Sequence, residues 1–344
     1  MAENPVTISV VMPVFYADRF LEESIESILH QTYTDFELII ICSEPSDETK
    51  RILTFSEKKD PRVHVTYQEK NGIIHARNTG CSLARGDYIA VMDADDISLP
   101  DRLKTEIAFL ENHPDIGIVG SWADIIDESG RTIKKVCPPA DPVVIGWYLL
   151  FGNCMVHLTV LMRSDIQKKM NGYTPGKNGY PEDYDLWARA FFVTRLANIP
   201  ETLGKYRIHA GGISAAVAAE VPGYCAGIQD DMIRRITGDD AFCRSGIPAV
   251  PGKPVLFFNP AACDAQVRFL EMLYRTYMQR YAPSDTGSAE IRRRVSQTLL
   301  SYSWSVFPYS KMRSVSFLSR SLWYSKSAVF RKMIEVIRRN LGFP

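Results

Sequence analysis

The sequence predicts an α/β protein: a doubly wound, mainly parallel sheet followed by a helical C-terminal extension. Three observations predict it. Short β-rich runs alternate with amphipathic stretches four times between residues 7 and 96, and parallel strands require such crossovers. The run Tyr88–Met92, preceded by Gly86, is apolar and uncharged, as a strand buried on both faces would be. Beyond about residue 221 the alternation gives way to long, basic, aromatic-rich helical segments, broken by a proline-rich stretch at 246–260.

Each element has a local reason. Residues 7–15 form a β-rich run expected to stop at Pro13. From Ala17 to Gln31, the residues Phe20, Leu21, Ile25, Ile28 and Leu29 recur at helical spacing with Glu22, Glu23 and Glu26 facing outward. Residues 36–42 are a second strand, and Asp47 and Glu48 supply the acidic first turn of a second helix. Residues 63–67 make a third strand, Asn71-Gly72 a turn, and 73–84 a third helix carrying Arg77 and Asn78. A helix over 101–112 and an extended segment over 116–127 follow. Residues 153–163 read as one strand, 170–180 as a loop, 182–192 as a helix, and 203–209 as a short strand after Pro200. The expected domains are 1–215, with halves meeting near residue 100, and 216–344.

Composition narrows the function classes. Forty basic and forty acidic residues cancel, which argues against a dedicated nucleic-acid binder. Seven scattered cysteines, never spaced as a CxxC pair, suggest neither a disulfide framework nor a thiolate zinc site. The first residues lack the basic and apolar regions of a signal peptide, and no stretch is long enough to span a bilayer, so a cytoplasmic protein is expected.

In such a sheet, ligands bind beyond the carboxyl ends of the strands. Pro13, Val14 and Phe15, the segment Cys42–Asp47 with Glu44, Gln68–Asn71, and Asp93, Asp95 and Asp96 therefore converge on one side. Three crowded carboxylates at a strand end repel one another unless a cation or donors neutralise them; a solvated turn is the alternative. The first strand ends in MPVFYADRF and lacks the glycine-rich turn of dinucleotide-binding enzymes.

Six ordered signals then carry a resemblance: VVMPVF, SDET, ARNTG, GDYIAVMDADD, EDYDLWAR and YRIHAGGIS. Over roughly residues 7–214 the chain resembles the family-2 glycosyltransferases of GT-A fold, inverting enzymes that use nucleotide sugars. The resemblance implies a metal-dependent transfer of a sugar from a nucleotide diphosphate donor to a hydroxyl of a glycan or lipid-linked acceptor, in cell-surface polysaccharide synthesis. Mn²⁺ or Mg²⁺ would absorb the charge that builds on the leaving diphosphate. Asp95 is then the expected metal ligand, Asp93 shares the metal or faces the ribose, His209 approaches metal or diphosphate, and Arg77 contacts phosphate. Asp183 is the expected general base and also sits at a helix start, while Glu182 and Trp187 are expected on the acceptor side. Asp96 is expected to be structural. Many relatives carry two aspartates and a glycine after the second strand, where this chain has Cys42-Ser43-Glu44-Pro45, so either Glu44 or Asp47 supplies the missing carboxylate or the donor carries a different base. A non-catalytic nucleotide-sugar or glycan-binding protein is the alternative.

Residues 291–344 hold eleven Lys or Arg against the single acid Glu335, interleaved with Trp304, Phe307, Phe317, Trp323 and Phe330. That pattern allows two outcomes: peripheral contact with the inner face of the cell membrane, or packing on the core or a second subunit as in a homo-oligomer.

Overall fold

The computed structural model describes residues 7–15, 19–69, 72–174, 181–211, 221–238, 260–281, 284–306 and 311–329. Expectations about Tyr16, Lys70, Asn71, 175–180, the proline-rich stretch and the terminal 330–344 fall outside these residues. Among the described residues the chain forms two compact units, Met1–Ile145 with Asn153–Cys225 and Gly146–Gly152 with Ala226–Pro344. The composition-based boundary at 215/216 thus compares with one at Cys225, and a short internal segment joins the second unit.

The first unit opens with β1 (Ile8–Val14), α1 (Leu21–Leu29), β2 (Phe36–Ser43), α2 (Asp47–Lys59), β3 (Val63–Gln68), α3 (Gly72–Leu83) and β4 (Tyr88–Val91). Ser46 caps α2 by accepting the Thr49 backbone N–H. The mixed half follows: β5 (Ile97–Ser98), α4 (Arg102–Asn112), β6 (Ile116–Ile126), β7 (Thr132–Val136), α5 (Pro142–Leu149), a 3₁₀ turn (His157–Thr159), β8 (Leu161–Arg163), α6 (Ser164–Lys169), α7 (Glu182–Ala190) and β9 (Arg195–Arg207). The sheet runs β3-β2-β1-β4-β8-β6-β9-β5, with β7 on β6. Strands β1 to β4 pair in parallel, while β8 joins β4 and β6 antiparallel.

Three local expectations differ from the structure. β1 runs through Pro13 to Val14, because pairing with β4 ends at Val11 and leaves no amide required at the proline on that side. Residues 153–163 are not one strand: the 3₁₀ turn at His157–Thr159 breaks them, leaving only Leu161–Arg163 extended. Conversely, β9 is one long strand that continues past Pro200, because the register on β6 jumps from Ile199 opposite Ser121 to Thr202 opposite Trp122. A bulge there absorbs the residue that cannot donate.

The order 3-2-1-4 reverses direction at β1, which places the switch point between the carboxyl ends of β1 and β4. Beneath it the core is aliphatic, with Val10, Met12, Leu38, Ile40, Ala90, Met92 and Leu161 fully buried. Arg102, itself fully buried, reaches from α4 to the carbonyls of Val91 and Val160, both at 3.1 Å, and pins the end of β4.

The second unit contains α9 (Pro260–Tyr281), α10 (Asp285–Val306) and α11 (Lys311–Tyr324); α8 (Val221–Thr237) crosses into it from the first. Trp147 packs edge-on against Tyr277, with ring centroids 5.3 Å apart. Buried Ser296 and Ser321 exchange hydroxyl contacts where α10 meets α11.

Candidate active site

The end of β4 delivers three aspartates into three different environments. Asp96 is fully buried; its Oδ1 accepts the Arg207 backbone N–H at 2.7 Å, while its carbonyl accepts the Ser24 hydroxyl. It therefore ties the strand end to β9 and α1, a structural role but not a helix cap. Burial, then repulsion from Asp95 and Asp93, pushes its carboxyl well above the usual range.

Asp95 faces outward. Its Oδ2 lies 2.8 Å from His209 Nε2, and the side chains of the pair are 30% and 17% exposed. Burial and the neighbouring Asp93 raise the Asp95 carboxyl, and His209 opposes them. The His209 ring stands edge-on to Phe20 at 5.2 Å, and Phe20 is covered by the Arg207 guanidinium at 4.3 Å. That guanidinium also donates to the Asp95 carbonyl at 2.8 Å, so the strand ends that present Asp95 and His209 are fastened together.

Asp93 turns the other way. Arg77 donates to its Oδ1 at 2.8 Å, and Oδ2 stands 3.5 Å from His157 Nδ1, an electrostatic contact rather than a well-formed hydrogen bond. Burial alone would raise the Asp93 carboxyl, but Arg77 and His157 outweigh it and hold it well below the usual range. Arg77 is buried beneath the Tyr173 ring and also pairs with Glu182. Its two amino groups are thus committed to carboxylates, which corrects the expectation that Arg77 contacts phosphate.

Glu182 is itself buried, so it is a partner of Arg77 and not a surface for an acceptor. Its carboxyl is raised by burial, against the pull of Arg77. The next residue, Asp183, is partly exposed in the first turn of α7. Asn153 Nδ2 donates to its Oδ2 and the Tyr184 N–H to its Oδ1, both at 2.7 Å. Trp187 corrects a further expectation. It is fully buried, tilted against His157 with centroids 5.9 Å apart, because α7 also buries Tyr184, Leu186, Ala188 and Ala190. A ring with no open face cannot stack on a sugar.

At the other strand ends, Pro13 and Val14 are buried in β1, leaving Phe15, 41% exposed, as the side chain that reaches the surface. Glu44 is exposed at a left-handed backbone position, φ 48°, and Asp47 is exposed in the first turn of α2 with Lys50 at 3.8 Å. At the end of β3, Gln68 Nε2 donates to the buried Ser43 hydroxyl at 2.9 Å, and Gln68 Oε1 is buried without a partner.

The residues the structure adds are His157, Asn153 and Tyr173. His157 Nε2 lies 3.1 Å from the Tyr173 hydroxyl, and Asn78 holds the Tyr173 backbone through bonds of 2.8 and 2.9 Å. Nothing local in the sequence marks His157, a lone histidine in an apolar run. Of the described cysteines, Cys42 and Cys81 are buried, Cys154 and Cys225 half-buried and Cys137 exposed.

A carboxylate oxygen and an imidazole nitrogen, both partly open, are donors that Mn²⁺ or Mg²⁺ with several non-protein ligands accepts. Asp95 and His209 fit that set; Asp93, with Oδ1 bonded to Arg77 and Oδ2 facing His157, does not. Among the described residues, no three His, Cys, Asp or Glu side chains form a ready-made metal cage.

Residues 9–162 match the family described as Glycosyl transferase family 2. The O-antigen biosynthesis glycosyltransferase WbnJ of Escherichia coli is 37% identical over 207 residues, covering 59% of this chain and 80% of its own length. The structure is similar to that of S. aureus TarS 1–349 in complex with UDP-GlcNAc, at a TM-score of 0.55 and 13% identity over 92% of this chain and 90% of that one. It is also similar to a mannosyltransferase from Pyrobaculum calidifontis in complex with GDP-Man and Mn²⁺, at a TM-score of 0.50 and 16% identity over 92% and 87%. The fold is accordingly that of the GT-A glycosyltransferases, as the resemblance implied.

Proposed function

This chain belongs to glycosyl transferase family 2, and from that premise we propose that it is a metal-dependent, inverting hexosyltransferase of cell-surface polysaccharide synthesis. It moves a sugar from a nucleotide diphosphate donor to a hydroxyl of a glycan or lipid-linked acceptor.

One observation carries the reading. The open Asp95–His209 pair stands at the switch point, and the chain Asp93–Arg77–Glu182 links the same strand end to the helix that presents Asp183. Asp95 and His209 would hold Mn²⁺ or Mg²⁺, which when bound supplies a Lewis acid for the diphosphate leaving group. Asp183, oriented by Asn153 and the Tyr184 amide, takes the proton from the acceptor hydroxyl as it attacks the anomeric carbon opposite the leaving group. Arg77 keeps Asp93 and Glu182 neutralised, so neither competes for the metal or for that proton. At the nucleotide end, Phe15 and Glu44 provide a ring face and an acceptor for the N–H groups of a base, in place of the usual aspartates. The WbnJ likeness supports a polysaccharide acceptor, and the two liganded neighbours supply candidate donors.

The test is thermal stabilisation by nucleoside diphosphates and their sugars, with and without Mn²⁺, because a ligand bound only by the native state raises the melting temperature. One nucleotide is expected to stabilise in a Mn²⁺-dependent way, and that donor to yield a product of inverted anomeric configuration by NMR. No shift with any nucleotide, or retention of configuration, would sink the proposal.

A further inference from the structure

The helix α11 hides one face and exposes another that water should not favour. Ser314, Phe317, Ser321 and Tyr324 are buried, whereas Met312, Val315, Ser316, Ser319, Leu322 and Trp323 are exposed. At 3.6 residues per turn, those six form one stripe about a third of the circumference wide. Met312 is 83% exposed, Trp323 76% and Val315 63%. A helix covering the core of a water-facing protein normally turns charged residues outward, and clustered exposed apolar side chains mark an interaction surface. The two serines interrupt it little, since Ser319 donates its hydroxyl to the Ser316 carbonyl at 2.8 Å.

Charge selects the occupant. The stripe contains no charged residue. Arg313 and Arg320 border it, paired with Asp264 and Glu271 of α9 at 2.8 and 2.9 Å yet about two-fifths exposed. From Lys311 to Pro344 the sequence holds eight Lys or Arg against the single acid Glu335. An apolar, tryptophan-bearing stripe in a segment of strongly basic sequence complements the headgroup and acyl boundary of an anionic bilayer. A self-complementary protein contact would bring this excess of positive charge against its own copy. We propose that the stripe Met312, Val315, Leu322 and Trp323 docks this chain on an anionic membrane surface. No helix among the described residues is long and apolar enough to cross a membrane, so the contact is a lateral one in the interface.

The experiment uses the full chain and vesicles of phosphatidylcholine alone or with phosphatidylglycerol, read by flotation and by Trp fluorescence. Wild type is expected to float with the anionic vesicles at low salt, with a blue-shifted emission, and to stay behind with the neutral ones. The triple variant Met312→Ser, Leu322→Ser, Trp323→Ser removes exposed side chains only, so its melting temperature serves as the folding control. It is expected to bind at least about tenfold more weakly, from the apolar contacts removed. Wild type failing to bind anionic vesicles overturns the proposal. So does a variant that floats as well as wild type, which would place the contact elsewhere, for instance in 330–344. Concentration-dependent self-association that the variant abolishes would assign the stripe to a second copy. These outcomes are read without any donor, so they are distinguishable from failure of the glycosyltransferase reading.

Discussion

Replacing Arg77 with Met keeps most of its volume and removes the one cation shared by Asp93 and Glu182. Arg77 is 4% exposed, and the Asp93 and Glu182 side chains are 24% and 7% exposed, so solvent screens neither pair much. Breaking a buried ion pair by deleting one partner costs about 3–5 kcal/mol, mostly because the remaining charge is left uncompensated. The pH dependence has a definite sign. Burial already raises the Glu182 carboxyl against the opposing pull of Arg77, and losing that pull raises it further. A group raised on folding contributes stability below its unfolded value of about 4.3, which is lost as pH rises through the folded value. The Asp93 share of the Arg77→Met deficit, from a carboxyl that Arg77 holds low, should persist at pH 4, while the Glu182 share is small there and adds to it as pH rises, so the deficit widens toward pH 7. Urea unfolding by circular dichroism at several pH values measures it as a shift of midpoint at constant slope. Glu182→Gln, which leaves the Arg77–Asp93 pair intact, should cost only about 1 kcal/mol and remains measurable if Arg77→Met does not fold. An unchanged midpoint at pH 7, or a deficit equal at all pH values, would refute the idea that Arg77 neutralises two buried carboxylates.

Asp95→Ala and His209→Ala should each abolish Mn²⁺-dependent nucleotide stabilisation and lower turnover on the order of a hundredfold or more; a variant responding to Mn²⁺ as wild type does would remove that residue from the metal site. Asp183→Asn should retain the stabilisation yet lose about 10²–10⁴ in kcat, and unchanged turnover would end its assignment as base. Gly172 has φ +68°, and a Cβ there would meet Asn78 Oδ1 at 2.4 Å, so Gly172→Ala should destabilise the protein by about 1 kcal/mol or more. A melting temperature equal to wild type would argue against that tight Asn78 contact. Ser46→Ala should cost about 1 kcal/mol through loss of the α2 cap, read from the same unfolding curves.

Much of the donor half was legible because its signals are local. Alternating buried runs and amphipathic helices follow from side-chain periods of 2 and 3.6, and a strand ending in Asp93-Ala94-Asp95-Asp96 announces a site at the sheet's carboxyl edge. The mixed half was less legible. Whether Pro200 ends a strand depends on the bulge it makes with β6, and whether 153–163 is extended depends on a 3₁₀ turn, neither of which leaves a periodic trace.

The sequence by itself determined the fold class, the switch-point location and the residue types gathered there. Only the tertiary structure decided which way those residues face: Asp95 outward to His209, Asp93 inward to Arg77 and His157, and Glu182 and Trp187 into the interior. The reason is distance along the chain. Arg77 meets Glu182 across 105 residues and His209 meets Asp95 across 114, so a carboxylate's partner, and with it the charge it can offer a ligand, is set by packing between strands and helices that no local pattern records.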